Sequence, residues 1–249
     1  MTKVKSHQEI IDMRTSGQML ATVLEKVGNS VQAGITTNDM AIIASREVKA
    51  LGGKPTFLGM YGFPDVICIS VNNEVVHGIP KKYEVKNGDI VSFDFGVTYN
   101  GMITDAARSA VVGTVTNKLS NLLAGTLESL DAGIGVLRDG VRVGDISFAV
   151  QTVCDSYGFG VVRDLVGHGV GHELHEEPNI PNYGKSGTGP VLKAGMTIAI
   201  EPMTTLGSHQ VYTAADDWTI MTRDGSLSAH FEDTVLITQT GSEILTRLK

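Results

Sequence analysis

The stretch from Asp89 to Val111, DIVSFDFGVTYNGMITDAARSAV, reads as two strands of mixed apolar and polar positions folded back on each other at Asn100-Gly101. That dipeptide between two such runs is the strongest short-range signal for a β-hairpin. With Asn100 and Gly101 as turn residues, Tyr99 faces Met102 and, counting outward, Gly96 faces Asp105. Asp94 lies one step along, diagonal to Asp105. Side chains alternate faces with a period of two, so Asp94, Gly96 and Asp105 share a face and two carboxylates converge there.

The remaining chain divides by periodicity. Ser6 to Glu9 is a capping box, followed by Ile10, Met13, Leu20, Leu24 and Val27 at helical spacing, with Gly28-Asn29 as the stop. Thr36 or Thr37 caps a second helix through Met40, Ile43, Val48 and Leu51, ended by Gly52-Gly53. A Gly/Pro-rich loop, KPTFLGMYGFP, leads to a strand, VICISV, a turn at Asn72-Asn73 and the segment EVVHGIP before the hairpin. Helical spacing returns between Asn117 and Leu137, and again through Ile146, Val150 and Cys154 to a stop at Gly158. A strand (VVRDLV), a loop (GHGVGHELHEEP) and three strands (MTIAIE, DWTIMT, AHFEDTVLIT) complete the series, with a turn at Asp224-Gly225.

Two helices followed by strands thus occur twice. A shift of 106 residues carries Gly34 onto Gly140, Asp39 onto Asp145 and Gly52 onto Gly158. A shift of 107 carries Asp94 onto Glu201, and one of 98 carries His77 and Pro80 onto His175 and Pro178. The expectation is an internal duplication, with strands of two alike halves facing one another and helices outside.

Composition narrows the class. A chain of 249 residues buries a sizeable core, and a net charge of -7 argues against a broad nucleic-acid-binding surface. Two cysteines, Cys68 and Cys154, imply no disulfide framework and fit a reducing compartment. The opening MTKVKSHQEIIDM lacks an apolar core of signal-peptide length, and no apolar run reaches membrane-spanning length. The expectation is a soluble cytosolic protein.

The candidate chemistry is acidic. Asp94 and Asp105 have Ser92, Gly96, Thr98 and Thr104 around them, so a cation is the simplest remedy for their repulsion, although a lone acidic pair on a hairpin is more often a solvated face. Glu201 ends a strand before Pro202, Glu232 shares a face with His230 and Thr234, and His168 stands between glycines in GHGVG. Each alone is ordinary; two Asp, two Glu and a His on strands and loops of a duplicated fold are not. Four carboxylates contribute about -4, which two divalent cations balance, with neutral His168 as an imidazole ligand. Oxygen-rich ligation with one nitrogen suits Mn, Fe(II) or Co, with Zn also compatible. His172, Glu173 and His175 miss the H-E-x-x-H spacing of a zinc helix by one residue.

At this point CISVNNEVVHGIP, the Asp94/Asp105 hairpin, GHGVGHELHEEPNIPNYG, TIAIEP and DDWTIMTRDGSLSAHFEDT resemble the type I methionine aminopeptidases along essentially the whole chain. The resemblance implies the α/β pita-bread fold, two pseudo-twofold halves in a single domain over 1–249, with a repeat at about 6–113 and 117–249. It implies two divalent ions (Co, Mn, Fe(II), Ni or Zn) on Asp94, Asp105, His168, Glu201 and Glu232, and removal of N-terminal methionine before a small second residue. Glu201 would shuttle the proton, His175 stabilise the tetrahedral intermediate and His77 bond near the scissile amide. Phe57, Met60, Phe63, Cys68, Leu174 and Trp218 would enclose the methionine side chain, a thioether packing well against aromatic rings. The implied partners are methionyl peptides and nascent chains, with transient ribosome contact, and neither membrane nor specific DNA. Phe57, Met60, Phe63 and Leu174 depart from the residues common in the family, and Asp233 stands where His is usual, as in the proline-specific branch. An Xaa-Pro aminopeptidase or dipeptidase of the same fold, and a non-catalytic binding protein on it, are the other two readings; the latter is expected to lose ligands, and none is lost.

Overall fold

Two strand pairs set the framework of the protein, which is described over residues 2–249 from a computed structural model. The first is the hairpin Ile90–Tyr99 with Met102–Val111, in the register counted from its turn: Tyr99 opposite Met102, Gly96 opposite Asp105. Asn100 and Gly101 take the positive φ angles, 49° and 81°, that such a turn demands. Cys68–Val71 adds to the outer side of this hairpin and Lys54–Pro55 extends it, making a four-stranded sheet. Asp94 faces Ala107 on one neighbour and Cys68 on the other, and Asp105 faces only Gly96, so small partners leave room above both carboxylates.

The second pair changes partners halfway. Thr197–Ile200 pairs with Asp233–Ile237 inside a five-stranded sheet, and Met203–Thr205 pairs with Ser228–His230 inside a three-stranded one. Between them both chains break, at Glu201-Pro202 and at Phe231-Glu232. Pro202 has no N–H to give the ladder, and the interruption turns both glutamates out of the sheet. The run AHFEDTVLIT, expected as one strand, is therefore two strands in two sheets. Of the expected VVRDLV strand only Val161 is in a strand, Gly160–Val161, and the expected loop GHGVGHELHEEP holds the strand Gly167–Gly169 and the start of Glu176–Ile180.

The hairpin docks directly on this broken ribbon. Glu232 N–H donates to the Ala107 carbonyl at 3.0 Å, Asp105 N–H donates to Thr234 Oγ1 at 2.9 Å, and Ser109 Oγ lies between the His230 N–H and carbonyl at 3.0 and 2.8 Å. Four carboxylates from distant parts of the sequence meet by this docking.

Helices cover the outside. α1 (His7–Ser30) opens with the Ser6/Glu9 capping box, and α2 (Thr37–Ala50) with Thr36 as cap and Asp39 reciprocating. Their apolar faces meet the hairpin through Leu20, Leu24, Met40, Phe93 and Phe95. α3 (Asn117–Gly135) is capped by Thr116, and α4 (Val143–Tyr157) ends at Gly158 in the left-handed conformation. These two pack on the second half through Leu122, Leu130, Ile146, Ile198 and Val235. No helix among the described residues is long and apolar enough to cross a membrane.

Candidate active site

Asp94, Asp105, His168, Glu201 and Glu232, expected together from sequence, all line one cavity of about 210 Å³. His168 Nε2 lies 3.6 Å from Glu201 Oε1 and 3.9 Å from Asp105 Oδ2. One ligand atom each from Asp105, His168 and Glu232 falls within 4.8 Å of the others.

The flanking glycines put His168 there by admitting a closely packed strand. A Cβ on Gly167 would strike the Ala199 carbonyl and Ile180, and one on Gly169 would meet Thr2 Cβ at 2.8 Å. Only glycine lets the strand Gly167–Gly169 lie between Glu176–Ile180 and Thr197–Ile200 with the imidazole pointing at the acids. His168 Nδ1 stands 2.9 Å from the Gly169 carbonyl, which can only accept. The proton therefore sits on Nδ1, and the Nε2 lone pair faces the carboxylates.

Crowding acids away from water raises the cost of their charge. Burial pushes Asp94 up to about 7 and Glu201 to about 8, and pushes Asp105 and Glu232 well above the usual carboxylate range, with neighbouring acids adding to the effect. Burial also holds the histidines neutral, His168 at about 3, His77 and His230 at about 4. Asp94 Oδ1, Asp105 Oδ1 and Glu232 Oε1 are buried without any hydrogen-bond partner. Buried polar atoms are rarely left so. Unpartnered carboxylate oxygens, repelling one another around an imidazole lone pair, are the donor set that divalent cations fit.

The cavity continues from this cage into an apolar wall. Phe57, Phe63, Cys68 and Leu174 form one buried cluster with Met60 and Trp218 packed on it, and all six face the cavity. Phe63 and Trp218 meet edge to face, centroids 5.1 Å apart. Gly96 makes space for this wall, since a Cβ there would stand 2.8 Å from the Phe57 ring. His77, strained at φ 58°, and His175 lie on the cavity surface, the His175 ring edge-on to His168 at 4.5 Å. Val76, Leu165, Met203 and Tyr61 also line it and are not among the residues expected from sequence.

The residue missed with most at stake is His230. Its Nε2 lies 3.6 Å from Glu201 Oε2 and 3.9 Å from Glu232 Oε2. Alternation in HFE was the available signal, and it pointed to a shared face without a role. Asp233, by contrast, turns away from the cavity: fully buried, it accepts from Arg108 at 2.7 Å, Arg247 at 2.8 Å and Thr246 Oγ1 at 2.8 Å. Asp233 therefore belongs to an ion-pair network behind the cage, not to the pocket.

Acids poised for cations at the end of an apolar cleft, flanked by neutral imidazoles, form a site of the metal-assisted hydrolase class. The sequence profile described as metallopeptidase family M24 matches residues 12–239. The chain is 47% identical to the methionine aminopeptidase of Clostridium perfringens over all of both chains, and 46% identical to methionine aminopeptidase 1 of Bacillus subtilis over 98% of each. A crystal structure of methionine aminopeptidase from Thermotoga maritima superposes with a TM-score of 0.98 at 46% identity, covering 100% of both chains. Prolidase from Pyrococcus furiosus has the same fold, with a TM-score of 0.79 at 24% identity over 99% of this chain and 66% of its own. The chain belongs to metallopeptidase family M24, on its methionine aminopeptidase branch. Its mixed α/β architecture is the pita-bread fold of that family.

Proposed function

We propose that the protein hydrolyses the N-terminal methionine from peptides and nascent chains, preferring a small second residue, with two divalent cations held by Asp94, Asp105, His168, Glu201 and Glu232. The observation that carries this reading is the apolar wall ending at a cage of buried, unpartnered carboxylate oxygens. When bound, such cations supply a water acidic enough to attack near neutral pH and polarise the carbonyl. Co, Mn, Fe(II), Ni and Zn are the candidates.

The chain's own groups do the rest. Phe57, Met60, Phe63, Cys68, Leu174 and Trp218 receive the methionine side chain and keep water from it. Glu201, reaching the cavity from the ribbon break, takes the proton of the attacking water at its carboxylate and passes it to the departing amine. His175 hydrogen-bonds the oxygen on which negative charge develops, and His77 hydrogen-bonds near the scissile amide. A neutral imidazole suits both tasks, and burial lowers the pKa of each. The reading extends to a cytosolic setting with transient ribosome contact.

The same reading treats the chain as one domain with a repeat at about 6–113 and 117–249. In its support, α2 and α4 both have an aspartate as their third residue, Asp39 or Asp145, bonded back to the cap residue, and both cap residues form an isolated bridge, Thr36 to Glu84 and Arg142 to Val191. Gly34 and Gly140 before the two helices, and Gly52 and Gly158 after them, all have positive φ.

Metals are stripped and then restored one at a time while turnover of Met-Ala-Ser and an Ala-Pro peptide is followed. The expected outcome is cleavage of the methionyl peptide only after a divalent ion is added. Preference for the proline peptide, or undiminished turnover without metal, would overturn the reading.

A further inference from the structure

We propose that His230 is a positioning residue for the carboxylate cage, its Nε2–H holding Glu201 Oε2 from behind and so setting the separation of Glu201 from Glu232. The inference rests on the metal-cage reading of this site. His230 is 1% exposed and is not among the residues that line the cavity. Its backbone is held at both ends by Ser109 Oγ, and it stands in register opposite Met203, beside the ribbon break that delivers both glutamates.

Both ring nitrogens lack a hydrogen-bond partner among the described residues. Nε2 nonetheless faces two acceptors, Glu201 Oε2 at 3.6 Å and Glu232 Oε2 at 3.9 Å. A shift of about 0.4 Å would close the shorter gap to a hydrogen bond. Glu201 thus lies between two imidazoles that differ in kind. His168, with its proton fixed on Nδ1, offers Oε1 a lone pair; His230, with nothing else to bond, offers Oε2 a proton. All five residues assigned to the cations line the cavity, and His230 does not. Its place is behind the ligands, where hydrogen-bond partners orient carboxylates and tune their hold on a metal.

The amide nitrogen of glutamine reaches where the imidazole Nε2 stands, whereas that of asparagine ends near Nδ1. Calorimetric titration of the metal-stripped protein with Mn(II) therefore compares wild type with His230→Gln, His230→Asn and His230→Leu. The expected result is a fall in Mn(II) affinity of about 10–100-fold for Asn and Leu, and at most about 3-fold for Gln. In turnover of Met-Ala-Ser at saturating Mn(II), kcat falls for Asn and Leu with KM little changed. If Gln loses as much affinity as Asn, the ring acts as filling and the proposal is wrong; it is equally wrong if all three variants bind like wild type. Melting curves identify any variant that fails to fold, and the Gln and Asn pair, both polar and smaller than the ring, decides the matter should Leu be lost. A wild-type protein that binds no Mn(II) would instead overturn the cage reading, and this inference with it.

Discussion

Asp94 and Glu201 are both largely buried acids that face the cavity. Replacing either by its amide keeps shape and removes charge, so Asp94→Asn and Glu201→Gln are expected to fold while kcat drops by about 10²–10⁴-fold. Wild-type turnover in either variant would remove that residue from the mechanism. His77 separates binding from chemistry in another way. It lies on the cavity surface without a carboxylate in contact, and its left-handed backbone is strain held in place by the neighbouring chain, since a Cβ on Gly78 would strike the Ile69 backbone. His77→Ala should lower kcat by about 10²-fold and leave the bound metal, measured by atomic absorption, unchanged. An equal loss of metal would mean that the imidazole serves the cage instead of the substrate.

At the level of elements, the hairpin was legible because two local rules agree on it: Asn-Gly fixes the turn, and a period of two fixes which side chains share a face. Counting from Asn100 therefore gave the Gly96–Asp105 pairing that the structure has. Helix caps were readable for the same reason, Ser6 with Glu9 and Thr36 with Asp39 being bonds between residues three apart. What local rules do not carry is partner exchange. The run HFEDTVLIT keeps strand-like residues throughout, yet Phe231-Glu232 breaks because its neighbour breaks at Pro202, and no local pattern relates two segments 30 residues apart. The GHGVG stretch is a similar case: glycines around His168 predict a loop, whereas they admit a strand pressed between two others. Gly167→Ala tests that reading of the element. Its new Cβ would meet the Ala199 carbonyl and Ile180, and a cost of about 1–3 kcal/mol is expected, read as a lowered melting midpoint. An alanine variant as stable as wild type would imply that the strand can move apart freely.

For the molecule as a whole, the cage couples stability to pH and to metal. In the metal-free protein Asp94, Asp105, Glu201 and Glu232 hold their protons to higher pH than in the unfolded chain, where carboxyls titrate near 4. Folding then binds extra protons, and stability falls as pH rises through that window. Four histidines pull the other way: His77, His168, His175 and His230 are held neutral in the fold but gain a proton below about 6.5 when unfolded, so they add stability as pH rises toward that value. Between about pH 4 and 6.5 the two groups oppose each other, while above 6.5 only the carboxyls remain, with Asp94 at about 7 and Glu201 at about 8. The metal-free melting midpoint should therefore decline from about pH 6.5 to 8.5, as the unfolding free energy falls by about 1.4 kcal/mol per pH unit for each extra proton held. Divalent cations compete with those protons and replace the repulsion with attraction, so saturating Mn(II) should raise the midpoint more at pH 8 than at pH 6.5 and flatten the decline. A metal-free midpoint that keeps rising through pH 8, or a metal effect independent of pH, would mean that the four acids are not sharing one desolvated site.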